Sequence, residues 1–205
     1  MKLNRNKTLK IIAVIIGAMI ILLAGIISII KFAIPQSQYG KANNLMNEGK
    51  YSEAITIFEK IKTYKDSEDK IFDCNIKIRD QKEKELSKYL GTYDKTEMSI
   101  DPVNGDEVPY GYVLEITSAG SAGIEFTLTN YGHRIASTSA TAKLKGDKYK
   151  FLYHDSWENY GEGILELLKD GVKITIGTNK YDEMANYDMG ETEIEFKFAD
   201  RTSGM

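Results

Sequence analysis

His133 and His154 are the only imidazoles in the chain and stand twenty-one residues apart. Neither falls in an H-E-x-x-H or mixed His/Cys pattern, so zinc at either would need carboxylate help, for example from Asp155 or Glu158. Their ordinary reading is as turn or strand-end residues. Ser137, Ser139 and Ser156 lack a G-x-S-x-G context. Ser156, His154 and Asp155 cannot form a triad as sequence neighbours, because successive strand side chains point to opposite faces. Asp101, Asp106 and Glu107 form one oxygen-rich group, and Asp182, Glu183, Asp188 and Glu191 another. Neither has the alternate spacing of an EF-hand loop, so both read as solvated turns rather than calcium sites. No catalytic residue, metal ligand or cofactor is assigned.

One stretch is chemically unusual. Tyr153-His-Asp-Ser-Trp157-Glu-Asn-Tyr160-Gly places three aromatic residues around an expected loop, and Trp157 is the only tryptophan. Aromatic rings on a loop at a barrel mouth can stack on sugars or anchor a protein partner. Tyr153, Trp157 and Tyr160 are therefore the candidate contact residues. The competing reading has Trp157 folding back to cap the open end of the core. Cys74 is the sole cysteine, so no internal disulfide can form. Its neighbours Ile71, Phe72, Ile76 and Ile78 predict a buried thiol.

The elements that must position these residues begin with an apolar run. Ile11 to Ile30 holds twenty residues without a charge, spanning roughly 30 Å as a helix, the thickness of a bilayer's hydrocarbon core. Lys2, Arg5, Lys7 and Lys10 precede it, and residues 1–35 contain no acid. This asymmetry predicts a cytoplasmic tail (1–10), a transmembrane helix (11–34) and an extracytoplasmic remainder at the cell membrane. A cleaved signal peptide shares the basic start, but the run is longer than the usual apolar core and no A-x-A site follows it. Pro35 is expected to break the helix at its outer end.

Residues 36–90 carry helical spacing and read as a stalk. Ala42, Leu45 and Met46 predict one helix near 38–48, and Ala54, Ile55, Phe58 and Ile61 a second near 52–62. Gly49 sits between them as a C-cap. A third helix starts near Asp66-Ser67, with Glu68 and Asp69 favouring its N-terminus, and runs to about Lys88. Ala42, Leu45, Gly49, Tyr51, Ala54 and Phe58 resemble the signature of a single tetratricopeptide repeat, over about residues 38–64. The resemblance implies two closely packed helices; the usual Pro after the second is replaced by Tyr64-Lys65-Asp66-Ser67. One repeat cannot bury its own apolar face, so a spacer or dimerisation element is expected rather than a peptide-binding array. A homodimer is left open.

From Gly91 the period becomes two. Tyr112-Leu114-Ile116, Ile124-Phe126-Leu128, Tyr149-Phe151-Tyr153, Leu165-Leu167, Val172-Ile174-Ile176 and Ile194-Phe196-Phe198 alternate inward and outward. Residues 134–144 supply a small-residue strand suited to bulky partners across a core, and Gly91–Lys95 a first strand. Asp170-Gly171 reads as a hairpin turn. About eight strands at regular spacing predict an antiparallel barrel or sandwich over 91–205, in up-and-down order. The whole is a membrane-anchored α+β chain. Residues 91–205 hold eleven Lys/Arg against twenty Asp/Glu, net minus nine, which disfavours nucleic acid and anionic lipid and favours basic partners.

ATAKLKGDKYKF followed by YGEGILELLKDGVKITI resembles exported bacterial β domains of the lysozyme-inhibitor-like type, over about residues 110–178. Those domains often carry cysteine pairs, and none occurs here. The resemblance implies a small β fold with an extracellular binding role. The expected function is thus a single-pass envelope protein with a non-catalytic outer binding module, facing a protein or cell-wall partner. The alternative is a structural membrane subunit acting through the stalk and span.

Overall fold

A computed structural model describes residues 5–180, Tyr187, Met189 and 192–202. The second acidic group (Asp182, Glu183, Asp188, Glu191) and the expected turn at Asp188-Met-Gly190 lie outside the described residues. The chain divides into two compact units, 1–78 and 79–205.

In the first unit, helix α1 (Arg5–Ser28) passes through a π-helical turn (Ile29–Ala33) into α2 (Ile34–Asn47). Residues Lys10–Asn47 form one helix of 38 residues, long and apolar enough to cross a membrane. Pro35 does not end it, contrary to expectation. Proline cannot donate to the carbonyl four residues back. The preceding turn widens instead, so that the Ile34 N–H reaches the Ile29 carbonyl, and the helix continues.

Gly49 ends α2 as its type predicts. With φ at 77° it enters the left-handed region, the Lys50 N–H reaches the Leu45 carbonyl at 2.9 Å and the Gly49 N–H reaches Met46 at 3.1 Å, a Schellman cap. Helix α3 (Tyr51–Lys60) then folds back on α2. Ala42 and Ala54 are fully buried beside Phe58, and Tyr39 meets Phe58 edge-on at 5.8 Å. Helix α4 (Ser67–Leu86) starts where the acidic residues place it. Asp66 accepts the Tyr39 hydroxyl, which holds its carboxyl below the ordinary range. Cys74 is buried, and burial pushes its thiol up.

The second unit is an eight-stranded antiparallel meander, a nearly closed barrel. Its strands are β1 (Gly91–Ile100), β2 (Glu107–Gly120), β3 (Gly123–Tyr131), β4 (Ala136–Lys145), β5 (Lys148–His154), β6 (Tyr160–Leu167), β7 (Gly171–Lys180) and β8 (Thr192–Lys197). Inward positions fill the interior: Leu114, Ile124, Leu128, Leu165, Val172, Ile174 and Phe196 are fully buried. On β4, Ala140 and Ala142 stand opposite Phe126 and Ile124, so the small strand makes room for bulky neighbours, as its composition predicts.

Glycines on β6 play the same part for β5. Phe151 pairs with Gly163 and Tyr153 with Gly161; each ring lies where a Cβ on its glycine would stand, at 2.2 and 2.3 Å respectively. Phe151 in turn meets Phe126 edge-on at 4.8 Å. Gly171 closes the expected β6–β7 hairpin, its carbonyl accepting the Leu168 N–H at 2.9 Å; it is also a strand residue opposite Lys197, where a Cβ would strike the Phe196 carbonyl. The β6–β7 link is the segment 168–170.

The ends of the sheet meet through side chains and a few backbone contacts. The Thr202 N–H donates to the Thr92 carbonyl at 3.0 Å, and Lys95 Nζ to the Glu195 carbonyl at 3.0 Å. Arg201 stacks over Tyr93 and Phe198 and donates to the Tyr93 hydroxyl at 2.9 Å and to the Lys88 carbonyl. Tyr93 is fully buried, and burial pushes its phenol up despite the arginine.

Candidate functional site

In an up-and-down barrel the odd-numbered connections share one end. Here these are the β1–β2, β3–β4, β5–β6 and β7–β8 loops. The aromatic stretch forms the third of them, and its shape follows from two residues. Asp155 accepts the N–H groups of Trp157 (2.8 Å) and Asn159 (3.0 Å), and its own N–H donates to the Asn159 carbonyl at 3.0 Å. Asn159 Nδ2 donates to Asp155 and to the Tyr187 carbonyl, 3.0 Å away. Both side chains are buried, so the network is shielded from competing water. Glu158 completes the turn with φ at 65°.

Four further bonds pin this loop to the start of β4. The Ser156 N–H reaches the Ser137 carbonyl at 2.9 Å, and Ser156 Oγ accepts the Ser137 N–H at 3.1 Å. Thr138 Oγ1 donates to the His154 carbonyl at 3.0 Å, and the Trp157 indole N–H to Ile135 at 2.8 Å. They stand in for a ladder, because β4 and β5 pair directly only at residues 143–145 and 148–150.

The three aromatic candidates therefore part company. Tyr153 points into the barrel and is buried against Gly161. Trp157 is half-buried, packed on the core with its ring edge-on to Tyr187 at 6.2 Å and the Arg134 guanidinium 5.3 Å above it. Tyr160 is 51% exposed and stacks flat on His154 at 4.3 Å. Trp157 thus caps the core with one part of its surface and borders solvent with the rest. Ile135, 55% exposed, and Arg134 join it. Sequence reading missed both, and also Asn159. The D-x-x-x-N spacing is the signal that could have found the last.

The histidines lie in different pairings. His133 Nδ1 sits 3.1 Å from Asp101, while His154 Nε2 sits 2.8 Å from Glu158. Asp155, the other carboxylate considered for zinc, is engaged with its own loop. Asp101 also accepts the Val103 N–H at 2.8 Å; that bond, then His133, holds its carboxyl below the usual range. Among the described residues no group of three or more His, Cys, Asp or Glu side chains is placed to hold a metal ion. Ser139 Oγ meets Thr127 Oγ1 at 2.8 Å.

A groove of about 740 Å³ lies at the opposite end of this unit, between the last turns of α4 and the β2–β3 hairpin, lined by Arg79, Glu83, Ser118 and Glu125 among others. It contains none of the aromatic candidates.

The fold and the loop end define a class, a nearly closed eight-stranded meander barrel following a long apolar helix. In comparison with known proteins, the chain matches no family model, no curated protein and no solved structure.

Proposed function

We propose that the chain is a single-pass cell-envelope protein, its N-terminus cytoplasmic, whose outer barrel is a non-catalytic binding module held near the membrane by α1. The observation that carries this reading is the loop end around Trp157. Partly exposed rings of Trp157 and Tyr160, with Ile135 and Arg134, sit on a backbone fixed by the buried Asp155–Asn159 pair. Aromatic side chains lose little entropy on binding, and together with arginine they are the usual anchors of protein interfaces.

In its concrete form the module is lysozyme-inhibitor-like and blocks a cationic wall-degrading enzyme. The net charge of minus nine over 91–205 would speed encounter with such a partner. The test is calorimetric titration of the full chain, in neutral detergent, with a cationic lysozyme and separately with soluble wall fragments. We expect saturable binding to one of them, weakened at least tenfold by Trp157→Ala or Tyr160→Ala. No affinity for either ligand, or binding untouched by both variants, overturns this form.

A structural role through the helices is the second reading. It is favoured by the α2–α3 hairpin, whose buried Ala42 and Ala54 fit a tetratricopeptide-like pair, and by Phe72, 66% exposed on α4. Deleting residues 91–205 separates the two: a scaffold keeps its assembly, a binding module loses its activity.

A further inference from the structure

We propose that the outer face of the β4–β5 hairpin is a docking site for a linear phosphate-bearing chain without bases. Charge sets this face apart from the rest of the barrel. Of the eleven Lys/Arg in residues 91–205, four lie within the eight residues 143–150, in a region that is otherwise strongly acidic. The register concentrates them further. Lys143 stands directly opposite Lys150, and Lys145 opposite Lys148. Alternation along the strands puts all four on the outer face, since Ala142, Tyr149 and Phe151 are the buried positions.

Cross-strand neighbours of like charge repel at about 5 Å between Cβ atoms, and such pairs destabilise a sheet. Only one of the four is neutralised locally: Lys148 Nζ lies 3.2 Å from Glu166, a carboxylate that Lys173 shares at 3.4 Å. Among the described residues Lys143, Lys145 and Lys150 make no ion pair. Each is exposed, so three ammonium groups are left open to a ligand.

These three lysines line a groove of about 660 Å³. Its floor and far wall bring Leu152 and Ile164, the Thr175 strand and one carboxylate, Glu162. Leu152 is 78% exposed. Compact, strongly hydrated ammonium groups suit phosphate as point charges, and an apolar wall suits the carbon skeleton between phosphates. Among the described residues the one aromatic lining this groove, Phe151, is buried with its ring turned into the barrel, so none faces outward to stack a base, which nucleic-acid grooves use. The barrel's loop-end surface is separate from this face, so the two sites stand or fall independently.

The test uses the full chain in neutral detergent, with fluorescent inorganic polyphosphate as probe and binding followed by anisotropy against salt. Wild type should bind at low salt, with log K falling linearly as log salt rises. The triple variant Lys143→Gln/Lys145→Gln/Lys150→Gln should bind at least tenfold more weakly, with a slope shallower by about two to three. Lys169→Gln/Lys197→Gln, outside the patch, should bind as wild type. Because the three lysines repel one another, the triple variant should melt no lower than wild type, and the single variant Lys150→Glu should weaken binding likewise. Absence of binding by wild type, equal loss in the control variant, or an unchanged triple variant overturns the proposal. So does equal competition by oligothymidylate, which would make the site a nucleic-acid groove.

Discussion

Replacing Gly163 by alanine adds one methyl group to the inside of the barrel, directly beneath the Phe151 ring. The new Cβ would stand 2.2 Å from Phe151 Cζ and 2.7 Å from the Thr175 carbonyl oxygen. The ring cannot simply swing away, since it is buried and edge-on to Phe126 at 4.8 Å. The carbonyl is backbone on β7, paired across to β8, and cannot yield alone. Overpacking a core costs about 1–3 kcal/mol, and disturbing an aromatic pair about 0.5–1.5 kcal/mol more. We therefore expect a loss of about 3 kcal/mol, or roughly 10–15 °C in Tm for a unit of this size. Gly177→Ala is the matched control, because its Cβ would meet nothing closer than 3.9 Å; its change should stay within about 0.5 kcal/mol. Thermal unfolding of the full chain in detergent, followed by circular dichroism, measures both. Trimming the ring with Phe151→Leu should return part of what Gly163→Ala loses, a coupling of about 1 kcal/mol or more. A Gly163→Ala variant melting within about 2 °C of wild type would refute the packing described.

Three other outcomes follow from single residues. Arg201→Lys keeps the charge but loses the planar stack on Tyr93 and Phe198 and the forked donation to Tyr93 and Lys88; the urea midpoint should fall by about 2 kcal/mol equivalent. Asn159→Ala leaves buried Asp155 without its amide partner, so the Trp157 emission should shift to the red and stability fall by about 1–3 kcal/mol. Asp101 has a depressed carboxyl. Its contribution is therefore complete above the unfolded value near 4 and lost as pH falls through the lower folded value. The exchange protection of amides 103–106, corrected for the intrinsic rate at each pH, should fall on acidification below about pH 4 in wild type, whereas Asp101→Asn should show the lower protection at every pH.

The alternation of strands such as Ile124-Phe126-Leu128 announced the barrel because period two and inward burial are the same physical fact. Ala42, Gly49 and Ala54 likewise announced a close helical pair, since small residues and a left-handed cap are what such packing requires. Pro35 misled because the relief of its missing donor came from a wider turn upstream, which no local propensity encodes. Asp170-Gly171 announced the β6–β7 hairpin, but not that Gly171 also stands opposite Lys197 on β8, a pairing no local turn signal encodes. At the loop end, Trp157 was visible as a lone tryptophan. The pairing of Asp101 with His133 was not, because thirty-two residues separate them and only the register of β2 on β3, which sets the β1–β2 and β3–β4 loops side by side, brings them together. Tyr153 and Tyr160 looked equivalent beside Trp157 until the strand register sent one inward and left the other on the surface.

The exposed part of Trp157 also offers the most direct measurement. Acrylamide quenching of this single tryptophan, incorporated as 5-hydroxytryptophan so that it is excited apart from the ligand's own indoles, should be followed in the full chain, alone and saturated with a cationic lysozyme or soluble wall fragments. If the loop end is the binding face, the ligand that binds will shield the indole, and quenching will fall at least twofold with the same midpoint as binding. Saturable binding that leaves Trp157 as accessible as before would place the contact elsewhere on the barrel and contradict the account.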